Sequence, residues 1–260
     1  MVRRARLDAE LVRRGLARSR EQAAELVQAG RVKVKGSTAT KPATAVEPDT
    51  PVLVEQDDGD PGYASRGGHK LAGALDALPV PVEGRRVLDA GASTGGFTDV
   101  LLRRGAREVV AVDVGYGQLA WQLRTDPRVT VHDRTNVREL TPEQIGGPAE
   151  LTVADLSFIP LTLVLPALAA CTTGDLLPMV KPQFEVGRER VGAKGVVRDP
   201  QLRGEAIRMV ADRAYELGLG TQGMVRSPLP GPAGNVEFFL WLRRDAPAVD
   251  PADIAEVVAL

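Results

Sequence analysis

Five short apolar runs recur between residues 85 and 182 with helical segments set among them, and this alternation constrains the fold more than any other feature. The runs are RRVLDAG (85–91), VVAVDVG (109–115), VTVHD (129–133), LTVADLS (151–157) and LLPMVKP (176–182). GFTDVLLRRG (96–105) and LTLVLPALAAC (161–171) read as helical or part-helical, and PQLRGEAIRMVADRAYELG (200–218) as a longer helix. Continuous Val/Leu strands flanked by helices predict a parallel sheet covered on both faces, an α/β architecture. A last run, NVEFFLWLR (235–243), follows the loop SPLPGPAG and is expected to lie antiparallel at or near an edge.

In an open parallel sheet, ligands bind beyond the carboxyl ends of the strands. Asp89 and Gly91 are expected to follow the first strand, Asp113 the second and Asp133 the third. Asp155 ends the fourth and Lys181 the fifth, and an antiparallel last strand would bring Glu237 to the same rim. The loop after the first strand, AGASTGG, lacks both the G-x-G-x-x-G of dinucleotide binders and the Walker lysine. Tight backbone with little positive charge suits a ligand pressed close without a pyrophosphate. Asp113, 22 residues after Gly91, is placed to accept both ribose hydroxyls, and Asp133 to meet an adenine amino group. Together these features describe a pocket for S-adenosylmethionine, whose sulfonium and amino charges suit carboxylates. Lys181 projects from an apolar run, where an ammonium is costly unless paired or functional.

The N-terminal segment differs in character. LDAELVRRG and SREQAAELVQAG read as two helices, the second opening on Ser19 with Gln22 three residues on. RVKVKG alternates Val and Lys as a strand, and PVLVEQ is a candidate partner. From Met1 to Lys41 there are eleven Lys/Arg against four Asp/Glu, although the whole chain carries a net charge of −1. Arg3, Arg4, Arg6, Arg13, Arg14, Arg18, Arg20, Arg31, Lys33, Lys35 and Lys41 make a basic surface expected to meet a polyanion. Few aromatics accompany them, so contact with a nucleic-acid backbone is expected rather than base stacking.

Cys171 is the only cysteine and there are two histidines, which excludes an internal disulfide and a Cys/His zinc cluster. The longest apolar run, IPLTLVLPALAAC, is too short to cross a bilayer. MVRRARLDAE has no apolar stretch after its positive charges, against a secretory signal, and a cytoplasmic protein is expected.

The blocks SRGGHKL, LDAGASTGGFT, DVGYGQL, ADLSFI, VKPQFEVG and GNVEFFLWL, in this order, resemble the TlyA family of hemolysin-like ribosomal RNA 2′-O-methyltransferases. RSREQAAELVQAGRVKVKG resembles the alpha-L RNA-binding domain that this family shares with pseudouridine synthases and a small-subunit ribosomal protein. The resemblance implies a small α+β RNA-binding domain at 1–59, and the Gly/Asp/Pro composition of DDGDPGYASRGG marks a linker, placed at 60–66. A Rossmann-like class I methyltransferase domain at 67–260 would complete the chain. It implies methylation of a cytidine ribose in small- or large-subunit ribosomal RNA, with S-adenosylmethionine as cofactor and no metal or stable membrane association. The Lys-Asp-Lys-Glu tetrad of FtsJ-like ribose methyltransferases would fall on Lys70, Asp155, Lys181 and Glu237. The cofactor set would be Asp89, Gly91, Ala92, Ser93, Thr94, Gly95, Gly96, Phe97, Asp113, Val114, Asp133, Asn136, Asp155 and Leu156. Arg3, Arg4, Arg6, Arg18, Arg20, Lys33, Lys35 and Lys41 are the candidate RNA contacts. Lys181 is expected to take or polarise the hydroxyl proton, with Asp155 and Glu237 orienting it and Lys70 adding a second cation. A membrane-active hemolysin and a non-catalytic ribosome assembly factor are the competing readings. The first lacks any apolar span or long alternating barrel strands, and the second leaves an intact tetrad without a purpose.

Overall fold

The structure is a computed structural model that describes residues 4–17, 20–55 and 61–259. The chain divides into two compact units, Met1–Gly62 and Tyr63–Leu260.

The first unit runs β1 (Ala5–Arg6), α1 (Leu7–Arg13), α2 (Arg20–Gln28), β2 (Val32–Val34), β3 (Ser37–Thr38), β4 (Ala45–Val46) and β5 (Val52–Val54). Strand β2 lies between β3 and β5, and β1 pairs with β4, all antiparallel. Leu7 and Leu11, one helical turn apart, are fully buried with Ala23, Val27 and Val32. Ser19, expected to cap the second helix, lies outside the described residues, as do Arg3 and Arg18.

The charge of this unit differs from expectation. Residues 42–62 add six acids and no base, so eleven Lys/Arg stand against ten Asp/Glu over the unit. Two of the acids are buried beneath the arginines. Asp8 pairs with Arg6 at 2.7 Å and Arg20 at 3.2 Å, and Glu10 pairs with Arg13 and Arg14 at 2.6 Å. Hydrogen bonds from Arg6 to Asp8, and from Arg13 and Arg14 to Glu10, hold both carboxyls down at about 2. Arg4 pairs with Glu47 and Lys33 with Glu55. Lys35 and Lys41 are exposed, and no acid pairs with either among the described residues.

The second unit adds α3 (Arg66–Ala77), β6 (Arg86–Ala90), α4 (Gly96–Arg103), β7 (Glu108–Val112), α5 (Trp121–Arg124), β8 (Val129–His132) and β9 (Ala149–Ala154). It continues α6 (Leu161–Ala170), β10 (Thr172–Val180), α7 (Pro182–Glu185), α8 (Pro200–Glu216), β11 (Gly220–Arg226), β12 (Phe238–Arg243) and α9 (Pro251–Ala259). One seven-stranded sheet has the order β11-β12-β10-β9-β6-β7-β8. Strands β8, β7, β6, β9 and β10 are parallel, and β12 runs antiparallel to both its neighbours. The strand order reverses where β6 meets β9, which opens a crevice at their carboxyl ends. Alternate strand residues feed two cores. Leu88, Val110, Ala154 and Val180 pack with α6, α8 and α9, whereas Val87, Val109, Val153 and Met179 pack with α3 and α4.

Three features depart from the sequence expectation. The last strand is antiparallel and next to the edge, as expected, but the edge itself is an unexpected strand, β11, paired outside it. GTQGMVR carries two glycines and polar residues, as an edge strand tolerates, and so shows no apolar run. The expected linker at 60–66 ends early: the Ala64 N–H donates to Asp99 Oδ2 at 2.8 Å and the Tyr63 ring packs on His69 and the Arg103 guanidinium. Helix α3 then begins at Arg66 despite its glycines, because a Cβ on Gly68 would lie 2.5 Å from that of Tyr63. Close approach, not flexibility, explains this glycine.

Candidate active site

The crevice between β6 and β9 is narrow because backbone meets backbone. The Asp155 N–H donates to the Ala90 carbonyl at 3.0 Å. Gly91 has φ +87°, and a Cβ there would stand 2.6 Å from the Asp155 carbonyl oxygen. Gly95, also left-handed, precedes α4, whose first turn faces the loop. Asp113 follows β7 and organises the same loop: Oδ2 accepts from the Ser93 N–H at 2.8 Å and Oδ1 from the Gly115 N–H at 2.7 Å. Ala92 is buried, Ser93 and Thr94 are exposed, and Val114 presents an apolar side chain that is 77% exposed.

Asp89 is the fourth residue of β6 and not a loop residue. Its carboxyl is fully buried, with Oδ2 accepting from Thr98 Oγ1 at 2.6 Å and Oδ1 without a partner. Burial pushes its pKa up to about 7. The Phe97 ring sits in the core against Phe239 and not at the crevice surface, because the first turn of α4 points it inward. Asp133, expected to meet an adenine, is already paired with Arg124 at 2.5 Å, which lowers its pKa. Asn136 is exposed and caps a short turn through the Arg138 N–H. Leu156 is half-buried behind Gly91.

The four tetrad positions fall on two ion pairs. Lys181 follows β10 and its Nζ lies 2.6 Å from Asp155 Oδ1, while donating to Ser157 Oγ at 2.8 Å. Lys70, in the second turn of α3, donates to Glu237 Oε2 at 2.6 Å. Lys70 is 7% exposed, Glu237 1% and Lys181 7%, so these are charges withheld from water. The sheet register joins the two pairs. Val180 of β10 stands opposite Phe238 of β12, so Lys181 and Glu237 are neighbours at one rim.

Sequence reasoning missed three residues here. Ser157 takes a hydrogen bond from Lys181, although it was visible only as a member of ADLSFI. Phe158 is 91% exposed at φ +66°, with its ring 5.3 Å from that of Phe184. A non-glycine residue in the left-handed region is strained, and such strain gathers at functional sites. Glu185 is buried, accepts from the Leu161 N–H at 2.7 Å and ties the two loops together; burial pushes it up to about 7.

Residues 63–244 match the model of the FtsJ-like methyltransferase family, and residues 5–52 match the S4 domain. Over 245 residues the chain is 64% identical to the 16S/23S rRNA (cytidine-2′-O)-methyltransferase TlyA of Mycobacterium tuberculosis, covering 94% of this chain and 91% of that one. The chain belongs to the TlyA family of FtsJ-like methyltransferases. Hemolysin A of Brachyspira hyodysenteriae is 34% identical over 90% of this chain and 98% of its own. A solved structure of a hemolysin-named protein from Streptococcus thermophilus superposes with a TM-score of 0.79 at 39% identity, covering 100% of this chain and 96% of that one. Despite the hemolysin names carried by members of the TlyA family, no helix among the described residues is long and apolar enough to cross a membrane. No cluster of His, Cys, Asp and Glu able to hold a metal is found among them either.

Proposed function

We propose that this TlyA-family methyltransferase transfers a methyl group from S-adenosylmethionine to the 2′-hydroxyl of a cytidine in ribosomal RNA. The observation that carries the reading is the Lys181–Asp155 pair, set at the rim beside the Lys70–Glu237 pair. An S4 domain in the first unit and the rRNA specificity in the name of the 64% identical relative support ribosomal RNA as the substrate, and hence action in the cytoplasm. Arg4, Arg6, Arg20, Lys33, Lys35 and Lys41 remain the proposed contacts in that unit, with Lys35 and Lys41 the ones not committed to an acid.

The crevice fits the cofactor on two counts. Gly91 leaves a gap that only hydrogen can occupy beside Asp155, and Asp113 keeps second lone pairs on both oxygens for a ribose. S-adenosylmethionine, when bound, supplies an electrophilic methyl on a sulfonium. Gly91, Ser93 and Asp113 would hold it, with Val114 against its base. Lys181, once its ammonium has released a proton to solvent, holds the 2′-oxygen as a neutral amine and takes its proton as attack proceeds. Asp155 and Ser157 fix the Lys181 amine in one direction. Lys70 pairs with Glu237, which leaves Asp155 as the direct partner of Lys181. Alignment of the hydroxyl is the largest contribution asked of the chain, out of roughly 7–11 kcal/mol available from proximity. Phe158 offers an exposed face on which the target base stacks.

The test is incubation with unmodified ribosomal subunits and methyl-labelled S-adenosylmethionine, followed by mapping of the modified nucleotide. Label on a cytidine 2′-oxygen is expected; label on a base, or none, overturns the reading. Gly91→Ala is expected to weaken S-adenosylmethionine binding at least tenfold by calorimetry. Left-handed alanine costs about 1–2 kcal/mol, each 1.4 kcal/mol is tenfold, and the new methyl meets the Asp155 carbonyl.

A further inference from the structure

The rim of the sheet is divided by chemistry. Beyond β6, β7 and β8 stand the residues proposed to hold the methyl donor, and beyond β9, β10 and β12 the two ion pairs. At this second half the loop from α7 to α8 carries Arg188, Arg190, Lys194 and Arg198, the start of α8 carries Arg203, and the end of β11 carries Arg226. Arg226 ends β11 opposite Phe238, next to Glu237. Arg203 lies in the first turns of α8, and its Nε donates to the Val197 carbonyl at 3.1 Å. Burial, and after it the charge of Arg226, lowers the pKa of Arg203; Asp199 acts in the opposite sense. Arg190 pairs with Glu205 at 2.6 Å. Among the described residues no ion pair holds Arg188, Lys194, Arg198, Arg203 or Arg226. The acids nearby are occupied or outward: Asp199 caps the Gln201 N–H, and Glu189 is exposed.

The loop that carries these cations is anchored. Asn235, 2% exposed, accepts from the Val197 N–H at 2.9 Å and donates to the Gly195 carbonyl at 2.8 Å. Asn235 stands two residues before Glu237, so one buried amide ties the basic loop to the strand entry that carries a tetrad residue. Like charges held close on rigid supports repel unless an anion sits between them. A ribose delivered to Lys181 has a phosphate on either side, and the strand must leave across this rim. We infer that Arg198, Arg203 and Arg226 form a phosphate subsite for the RNA strand flanking the target ribose, with Arg188 and Lys194 extending it. This rests on the ribose methyltransferase reading, because that reading puts a phosphodiester at the rim.

The test uses the full chain with Arg198→Glu and Arg226→Glu combined, and measures binding to unmodified ribosomal subunits and to protein-free ribosomal RNA over a salt series. The dissociation constant for both should rise at least tenfold, and the slope of log affinity against log salt should fall by roughly 1.4–1.8, the loss of two phosphate contacts. Unchanged melting temperature and S-adenosylmethionine affinity show that the variant is folded. If it is not, Arg198→Gln with Arg226→Gln takes its place and should show a smaller loss in the same direction. Arg226→Lys, which keeps the charge, should stay within about threefold. Unchanged affinity and slope overturn the inference. So does a loss confined to subunits with protein-free RNA unaffected, which assigns the face to a ribosomal protein. Failure of the unsubstituted chain to methylate subunits, with these binding differences intact, would sink the ribose reading and leave the phosphate subsite standing.

Discussion

Lys181→Ala is expected to cut methyl transfer to ribosomal RNA by roughly 10³-fold, within the range for loss of a positioned acid–base group, while S-adenosylmethionine affinity stays within about threefold. Two effects combine. The amine that receives the hydroxyl proton is removed, and the 2′-oxygen loses the group that aligns it. Asp155 would lose its partner, but its side chain is 23% exposed, so water can replace the ammonium and folding is little affected. Lys181→Arg separates the two effects. A guanidinium can still donate to an oxygen but stays protonated throughout the working pH range, so this variant should be nearly as inactive as alanine. Single-turnover transfer to unmodified subunits, with calorimetry of the cofactor alongside, reads both. Full activity in Lys181→Ala would remove Lys181 from the chemistry and with it the proposed mechanism.

The second large effect is on stability. Lys70 and Glu237 are joined at 2.6 Å with almost no water contact. Lys70→Ala strands a carboxylate in the interior, where breaking a buried pair costs about 3–5 kcal/mol. At roughly 2–4 °C per kcal/mol for a unit of this size, the melting temperature should fall by on the order of 10 °C. Removing both charges with Lys70→Met and Glu237→Leu should recover most of that loss, since apolar side chains of similar volume replace buried ion pairs at little cost. Activity should not return with it, because the double variant leaves no polar group at position 237, beside Lys181, to orient the 2′-hydroxyl. Thermal unfolding of the two single variants and the double variant, with transfer assays on each, forms the cycle. A melting temperature within 1 °C for Lys70→Ala would mean that the pair is not held away from water.

Legibility was uneven along the chain. Strands β6, β7, β9 and β10 were readable because most of their residues are buried and apolar, and the edge strand β8 because its VTV alternates. Strand β11 was not, since GTQGMVR has two glycines and neither an apolar run nor an alternation. Helix α3 hid behind Gly67, Gly68 and Gly73, which mark a loop unless one knows that Tyr63 packs where a Cβ of Gly68 would be and Pro228 where one of Gly73 would be. Counting charge to Lys41 made the first unit look strongly basic. The acids that balance it lie at Glu47 and beyond or are buried beneath the arginines, and neither arrangement shows in a local count. Asp89 was expected beyond the first strand and Phe97 was implied as a cofactor residue by the family resemblance, yet one lies inside a strand and the other faces the core.

The order of strands and loops was settled by the sequence alone. Once the sheet is parallel, right-handed crossovers bring every strand's carboxyl end to one rim, so Asp113, Asp155 and Lys181 had to converge. Which lysine meets which carboxylate was decided only in three dimensions. Lys70 and Glu237 are 167 residues apart, and their meeting depends on where α3 packs and on β12 running antiparallel with Phe238 opposite Val180. Periodicity reports which face of a segment is buried; it carries no information about the partner on the other side of that face.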